Sequence, residues 1–181
     1  KVKQITNTEL PSITLNKRQL CDYELIVNGG FSPLQGFMKK NDYKNCIENM
    51  RLSNNKLWTM PITLCISEDD VKRINKSKKI ILKHETGLPL AVMDISSDES
   101  IYKPNIEYEC KKIYGSYDDN HPYVKILNNY LKNGLIYNLG GNILEYTIPP
   151  NYDFKDLRLS PEETKLFFKN NKWDKIIGFQ T

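Results

Sequence analysis

The sequence contains no apolar run that approaches the ~20 residues of a membrane-spanning helix. Its first residues also lack the apolar stretch of a signal peptide. We therefore expect no membrane association, and we expect a cytoplasmic location, with an organelle as the alternative. Hydrophobic residues make up 39% and charged residues 27% of the chain, which excludes disorder by composition.

The cysteines form no CxxC pair, and their spacing matches no zinc site. They fall in apolar helical or strand-like stretches, which predicts buried free thiols in a reducing compartment. The acidic pairs at 69–70 and 118–119 are predicted to start a helix or a turn, where Asp is favoured. No metal site is predicted. The four cysteines are Cys21, Cys46, Cys65 and Cys110.

The net charge of +4 is not concentrated in one place. Lys and Arg are spread along the chain, with one denser stretch at 72–83. A nucleic-acid binder usually gathers its cations on one face or stripe. The distribution therefore predicts a solvated surface, and no nucleic-acid partner is expected.

The first part of the chain predicts two helices separated by an apolar loop. Asn16 can cap a helix over 16–27, and Gln19 is placed to complete a capping box. The loop at 28–38 has three glycines but lacks the Lys-Ser or Lys-Thr of a phosphate-binding loop. We predict a packed structural loop there, with a domain or subunit contact as the alternative. A second helix is predicted over 41–50.

The middle of the chain predicts short strands with helical insertions, which is typical of a mixed β-barrel. The segment 90–95 is apolar at successive positions, so both of its faces are expected to be covered, as in a closed barrel. The predicted strands are 61–66, 79–83, 90–95, 134–139 and 142–148, and the predicted helices are 105–114 and 122–131.

The last part of the chain predicts a helix followed by a buried strand. Ser160 and Glu163 form a capping box at the helix start, and 173–179 is apolar after its first positions. A helix followed by an apolar strand is typical of the opening of an α/β domain. Gln180 and Thr181 follow that strand, at the edge where open α/β sheets bind ligands.

Several blocks, in order along almost the whole chain, carry a family resemblance. They are 15–22 with 28–38, then 51–52 with 57–64, then 94–104, the Asp-x-x-His-Pro turn at 118–122, 152–154 with 157–158, and finally 173–174 with 178–181. Together they resemble the ATP sulfurylase (sulfate adenylyltransferase) family, in its fungal and bacterial rather than its animal form. Each block alone has little specificity for the family, and their occurrence together in this order makes the resemblance specific.

The resemblance implies an α+β fold. A PUA-like mixed β-barrel with helical insertions would occupy residues 1–153, and an α/β (Rossmann-like) nucleotidyltransferase domain would begin in 154–181. The family joins sulfate to the adenylyl group of ATP, which gives adenosine 5′-phosphosulfate and pyrophosphate, with Mg²⁺. The parent protein is therefore expected to use Mg²⁺-ATP and sulfate and to form a homo-oligomer.

The resemblance also assigns site residues. The family's catalytic loop has the form Gln-Thr-Arg-Asn-Pro-x-His-x-x-His, and this chain contains its first two positions. Gln180 would donate its amide to a sulfate oxygen, and Thr181 would be the catalytic-loop residue. His84 and His121 lie far upstream in turns and are not substitutes for the loop histidines. We therefore expect this chain alone to be inactive and to bind no cofactor.

Two other functions remain as alternatives. PUA-like barrels elsewhere bind RNA, and an RNA-binding module would have a localised basic and aromatic surface. A scaffold that supports an oligomer interface is compatible with the enzyme hypothesis.

Overall fold

The computed structural model describes residues 9–149 and 153–179 as an α+β fold. The helices are α1 (Lys17–Val27), α2 (Lys40–Asn49), α3 (Glu68–Ile74), α4 (Ile106–Tyr114), α5 (Pro122–Lys132) and α6 (Pro161–Asn170), with a 3-10 helix at Lys155–Leu157. The strands are β1 (Ser12–Thr14), β2 (Gly36–Phe37), β3 (Leu64–Ile66), β4 (Lys79–Lys83), β5 (Pro89–Asp94), β6 (Ile101–Tyr102), β7 (Tyr137–Leu139) and β8 (Gly141–Tyr146).

The strands form two sheets, where the sequence suggested one closed barrel. A five-stranded sheet has the order β1-β4-β5-β8-β2, and a three-stranded sheet has the order β3-β7-β6. Among the strand pairs of the described residues, only β1–β4 is parallel, so the prediction of a mixed sheet is confirmed. The consecutive strands β7 and β8 belong to different sheets, and the chain changes sheet at Gly140. Strands that switch sheets make the corners of such sandwich-like folds.

The core is centred on β5. It lies between β4 and β8, and its successive residues Leu90 to Met93 are all buried. The prediction that both faces of this strand are covered is therefore confirmed. The phenol of Tyr23, on α1, lies 2.8 Å from the carbonyl oxygen of Leu90 and 2.7 Å from that of Thr147. This contact anchors α1 against the five-stranded sheet.

The predicted capping boxes begin the first and last helices. The side chain of Asn16 accepts from the amide of Gln19 at 2.9 Å, and the amide of Asn16 donates to the Gln19 side chain at 3.0 Å. Ser160 and Glu163 make the corresponding pair at 3.2 and 2.7 Å. Such reciprocal bonds satisfy amides that a helix start otherwise leaves unpaired.

The loop at 28–38 is packed, as predicted. Phe37 and Met38 are buried, and Phe31 meets the ring of Trp58 edge-on at 5.8 Å. Trp58 is partly buried and packs against the core.

The prediction of buried free thiols is confirmed for Cys46, Cys65 and Cys110 and wrong for Cys21, which is exposed. The buried face of α1 carries Gln19, Tyr23 and Ile26. Cys21 is two positions from both Gln19 and Tyr23, which places it on the opposite side of the helix.

The segment 173–179 is not a strand, and the prediction of a buried strand is wrong. Ile177 is 91% and Phe179 is 84% exposed. Trp173 is also more than half exposed. A strand needs a neighbour for its backbone hydrogen bonds, and within 9–149 and 153–179 no strand pairs with this segment.

Candidate functional site

The predicted sulfate-site residues, Gln180 and Thr181, lie outside the described residues. The structure describes the segment that leads to them, 153–179. It consists of the 3-10 helix, α6, a turn at 171–172 and an irregular run to Phe179. Residues 153–179 therefore connect the rest of the fold to the predicted sulfate-site residues.

The segment rests on α1 through Arg158. Its guanidinium lies 3.4 Å from the carboxylate of Asp153 and 3.9 Å from that of Glu24 on α1. Ion pairs this exposed contribute at most about 1 kcal/mol each. Within the segment, Trp173 packs edge-on against Phe167 at 5.6 Å, and its amide donates to the carbonyl of Phe168 at 3.0 Å. The segment is thus organised internally but joined weakly to the domain.

An open cleft of about 570 Å³ separates α1 from residues 157–163. The segment around it exposes many large apolar side chains. Exposed apolar surface of this extent is typical of interaction sites. The exposed side chains are Phe154, Leu157, Leu159, Leu166, Phe167, Trp173, Ile176, Ile177 and Phe179.

A half-buried cation connects α1 to α5. The guanidinium of Arg18 donates to the hydroxyls of Tyr123 at 3.2 Å and Tyr130 at 3.3 Å, and it lies 5.7 and 5.8 Å from the centres of their rings. Asp22 is its carboxylate partner at 3.2 Å. Burial raises the pKa of Asp22, and Arg18 opposes that shift. The cluster holds the α4–α5 insertion, with its separate small core, against α1.

A second buried polar pair joins α4 to α2. The hydroxyl of Tyr43 donates to the carboxyl of Glu109 at 2.6 Å, and both side chains are buried. Burial raises the pKa of Glu109, and the bond from Tyr43 only partly offsets that effect. Neither cluster was found by sequence reasoning, because the partners are 66 to 112 positions apart.

We expect Glu109→Gln to reduce the fall in stability with rising pH. The raised pKa means that the folded chain holds the Glu109 proton more tightly than the unfolded chain. This contribution is complete below the ordinary value near 4.5 and is lost as the pH rises through the folded-state value. Glutamine keeps an acceptor for Tyr43 and cannot ionise. Thermal melts should show a Tm gain at pH 8, about 2–4 °C per kcal/mol for a chain of this size.

The control for this prediction is Glu145→Gln, which removes an exposed carboxyl from β8. Its Tm should follow the wild-type curve over the same pH range. If the plots of Tm against pH for Glu109→Gln and wild type were parallel, they would contradict the assignment of a raised pKa to Glu109.

The Mg²⁺ that the family resemblance implies has no matching ligand set in the ranges 9–149 and 153–179. No group of three or more His, Cys, Asp or Glu side chains is gathered there. His84 lies in the turn between β4 and β5, and His121 precedes α5 and stacks on Tyr114. In the same ranges, no helix combines the length and apolar character that crossing a membrane requires.

A family model described as "PUA-like domain" matches residues 1–146. The chain belongs to the PUA-like domain family. The predicted PUA-like part of the fold is thereby confirmed. In this PUA-like domain, α1 and the five-stranded sheet form the core, and the segment 153–179 follows the matched residues.

Curated relatives of this PUA-like chain are sulfate adenylyltransferases, so the family resemblance is confirmed. The Eremothecium gossypii protein is 40% identical over 172 residues, which is 95% of this chain and 33% of the relative. The Kluyveromyces lactis protein is 37% identical over 96% of this chain and 33% of the relative, and the Saccharomyces cerevisiae protein is 38% identical over 92% and 31%. The chain thus spans about a third of the length of these relatives.

A solved structure titled "Hexameric APS kinase from Thiobacillus denitrificans" has the same fold over most of the chain. The TM-score is 0.66 at 24% identity, with 91% of this chain and 27% of the other chain covered. At this identity the likeness concerns the fold alone.

Proposed function

We propose that this chain is the amino-terminal part of a sulfate adenylyltransferase. The parent protein would make adenosine 5′-phosphosulfate and pyrophosphate from ATP and sulfate, with Mg²⁺ bound to ATP. The observation that carries the proposal is the 40% identity to the Eremothecium gossypii sulfate adenylyltransferase over 95% of the chain.

In this proposal the PUA-like domain is a support, and residues 154–181 begin the nucleotidyltransferase domain. The exposed apolar side chains of 154–179 favour this division, because they would become the packing surface of the catalytic domain. The capped helix α6 needs no tertiary partner at its start, since Ser160 and Glu163 satisfy its first amides.

The chemical role falls on the two residues at the end of the segment. Sulfate is a poor nucleophile, so its attack on the α-phosphorus depends on positioning and on charge stabilisation. The amide of Gln180 would donate to a sulfate oxygen and hold the anion in line with the bond that breaks. Thr181 would lie in the active-site loop and donate a hydrogen bond there through its backbone amide or its hydroxyl.

The proposal includes a cytoplasmic homo-oligomer, with an organelle as the alternative location. An RNA-binding module is the competing function for a PUA-like domain. We favour the enzyme because the curated relatives named above are sulfate adenylyltransferases. A support for an oligomer interface is compatible with the enzyme and describes what the domain would do physically.

The test is a chimera in which this chain replaces the matching segment of the Eremothecium gossypii protein. We expect sulfate-dependent release of pyrophosphate from ATP by the chimera. The 181-residue chain alone should release none, because the loop's arginine, asparagine and histidines are missing from it.

Two outcomes would refute the proposal. A chimera that is folded, as judged by its melting curve, but inactive would reject the enzyme assignment. Sulfate-dependent pyrophosphate release by the isolated chain would reject the division of the active site. Salt-dependent binding of single-stranded RNA by an inactive, folded chimera would support the competing function.

A further inference from the structure

A cavity of about 160 Å³ lies between α2 and α4, beside the chain that follows β6. The rings of Tyr43 and Tyr102 form part of its wall, with their centres 5.1 Å apart and their planes tilted by 45°. Ile47 and Pro104 add aliphatic surface, so the lining is mainly apolar. Neither the family match nor the proposed function gives this cavity a role.

The tyrosine hydroxyls of this wall are already used. Tyr43 donates to Glu109 at 2.6 Å, and Tyr102 donates to the carbonyl of Met38 at 3.0 Å. Both residues are only 5% exposed, so they close the wall of the cavity and offer no hydrogen bond to an inorganic anion. Tyr108 adds a third ring, and its position is held by the bond from its amide to the side chain of Asn105 at 3.0 Å.

The rim of the cavity is positively charged. Lys40, Lys44 and Lys103 lie around it, against one carboxylate, that of Glu48. Within the described parts of the chain, none of these three ammonium groups has a salt-bridge partner. Unpaired cations at the mouth of an apolar cavity favour a ligand that carries negative charge.

The volume sets the size of the apolar part of the ligand. A cavity of about 150 Å³ with an apolar lining accommodates benzene. We propose that the cavity between α2 and α4 binds a monocyclic aromatic anion, with its ring in the apolar lining beside Tyr108 and its charged group facing the lysines. Aromatic rings prefer offset or edge-on contact with one another, and the ring of Tyr108, which is 41% exposed, is available for such a contact.

The test is a titration of the intact chain with benzoate, followed by ¹⁵N NMR. Saturable shifts are expected on α2 and α4, with a Kd of about 1 mM for a ligand of this size. The double variant Lys44→Gln, Lys103→Gln should bind benzoate about tenfold more weakly, because two positive charges that attract its carboxylate are removed. Both lysines are exposed, so the fold should tolerate the change. Benzyl alcohol, which has the ring without the charge, should bind equally to wild type and to this double variant.

The matched control is Lys125→Gln with Lys132→Gln, two exposed lysines on α5. This control loses the same net charge and should bind benzoate within about twofold of wild type at constant ionic strength. Equal weakening in both double variants would overturn the proposal, because the effect would then be one of net charge. Absence of saturable shifts on α2 and α4 would also overturn it. Displacement of benzoate by an equal concentration of inorganic sulfate would overturn it as well, because the ring would then contribute nothing to binding.

Discussion

Gly36→Ala is expected to lower the free energy of unfolding by about 3 kcal/mol or more. Gly36 pairs with Asn142 where β2 joins the five-stranded sheet. A Cβ atom at this position would lie 1.8 Å from the carbonyl oxygen of Gly141 and 2.9 Å from its carbonyl carbon. Both atoms belong to the backbone, so the clash is relieved only if the strands separate. A loss of 3 kcal/mol corresponds to a Tm decrease of about 6–12 °C.

The same experiment has a local readout. The amide of Ile143 donates to the carbonyl of Gln35 at 2.8 Å, next to the affected pair. Hydrogen exchange at Ile143 should therefore accelerate in the variant more than exchange in β4 and β5. Gly178→Ala is the control, since a Cβ there meets nothing within 4 Å. A Tm for Gly36→Ala that equals the control would show that β2 and β8 are not in close contact in solution.

The elements that could be predicted from the sequence are those with local signals. The capping residues Asn16 and Ser160 fix the starts of α1 and α6 through bonds only three positions long. The β4–β5 hairpin also follows from two apolar runs around a short turn at Gly87. These features depend on neighbours in sequence, so the pattern of residues was enough.

The missed elements depend on distant partners. The strand β1 pairs in parallel with β4, with Ser12 opposite Ile81, and β6 is only two residues long. Neither has a turn or an alternating pattern of its own that would predict it. The same reason hid the contacts of Arg18 with Tyr130 and of Tyr43 with Glu109, which are 112 and 66 positions apart.

The segment 173–179 shows the opposite case. Its apolar residues predicted a buried strand, but burial needs a covering surface, and a strand needs a partner. Gln180 and Thr181 were assigned from the family resemblance and not from a physical pattern. Their roles are therefore tested best by activity, in a protein that contains the remaining loop residues.

Gln180→Ala in the active chimera is expected to lower kcat/KM for sulfate on the order of 10²-fold, the loss typical of removing one donor from a developing anionic site. Without the amide, sulfate loses a hydrogen bond that both holds it and aligns it for in-line attack. The KM for ATP should change little, because the proposed contact is with sulfate alone. Gln180→Glu should lose more, since a carboxylate of nearly the same shape would repel the anion.

The control is Gln35→Ala in the same chimera, because Gln35 is exposed and contributes only its backbone carbonyl to the contact with Ile143. Its kinetic constants should match those of the unmodified chimera. Equal effects on the KM for ATP and for sulfate in Gln180→Ala would indicate a disordered loop. An unchanged kcat/KM for sulfate in Gln180→Ala would remove Gln180 from the sulfate site while leaving the enzyme assignment intact, since the unmodified chimera tests that assignment separately.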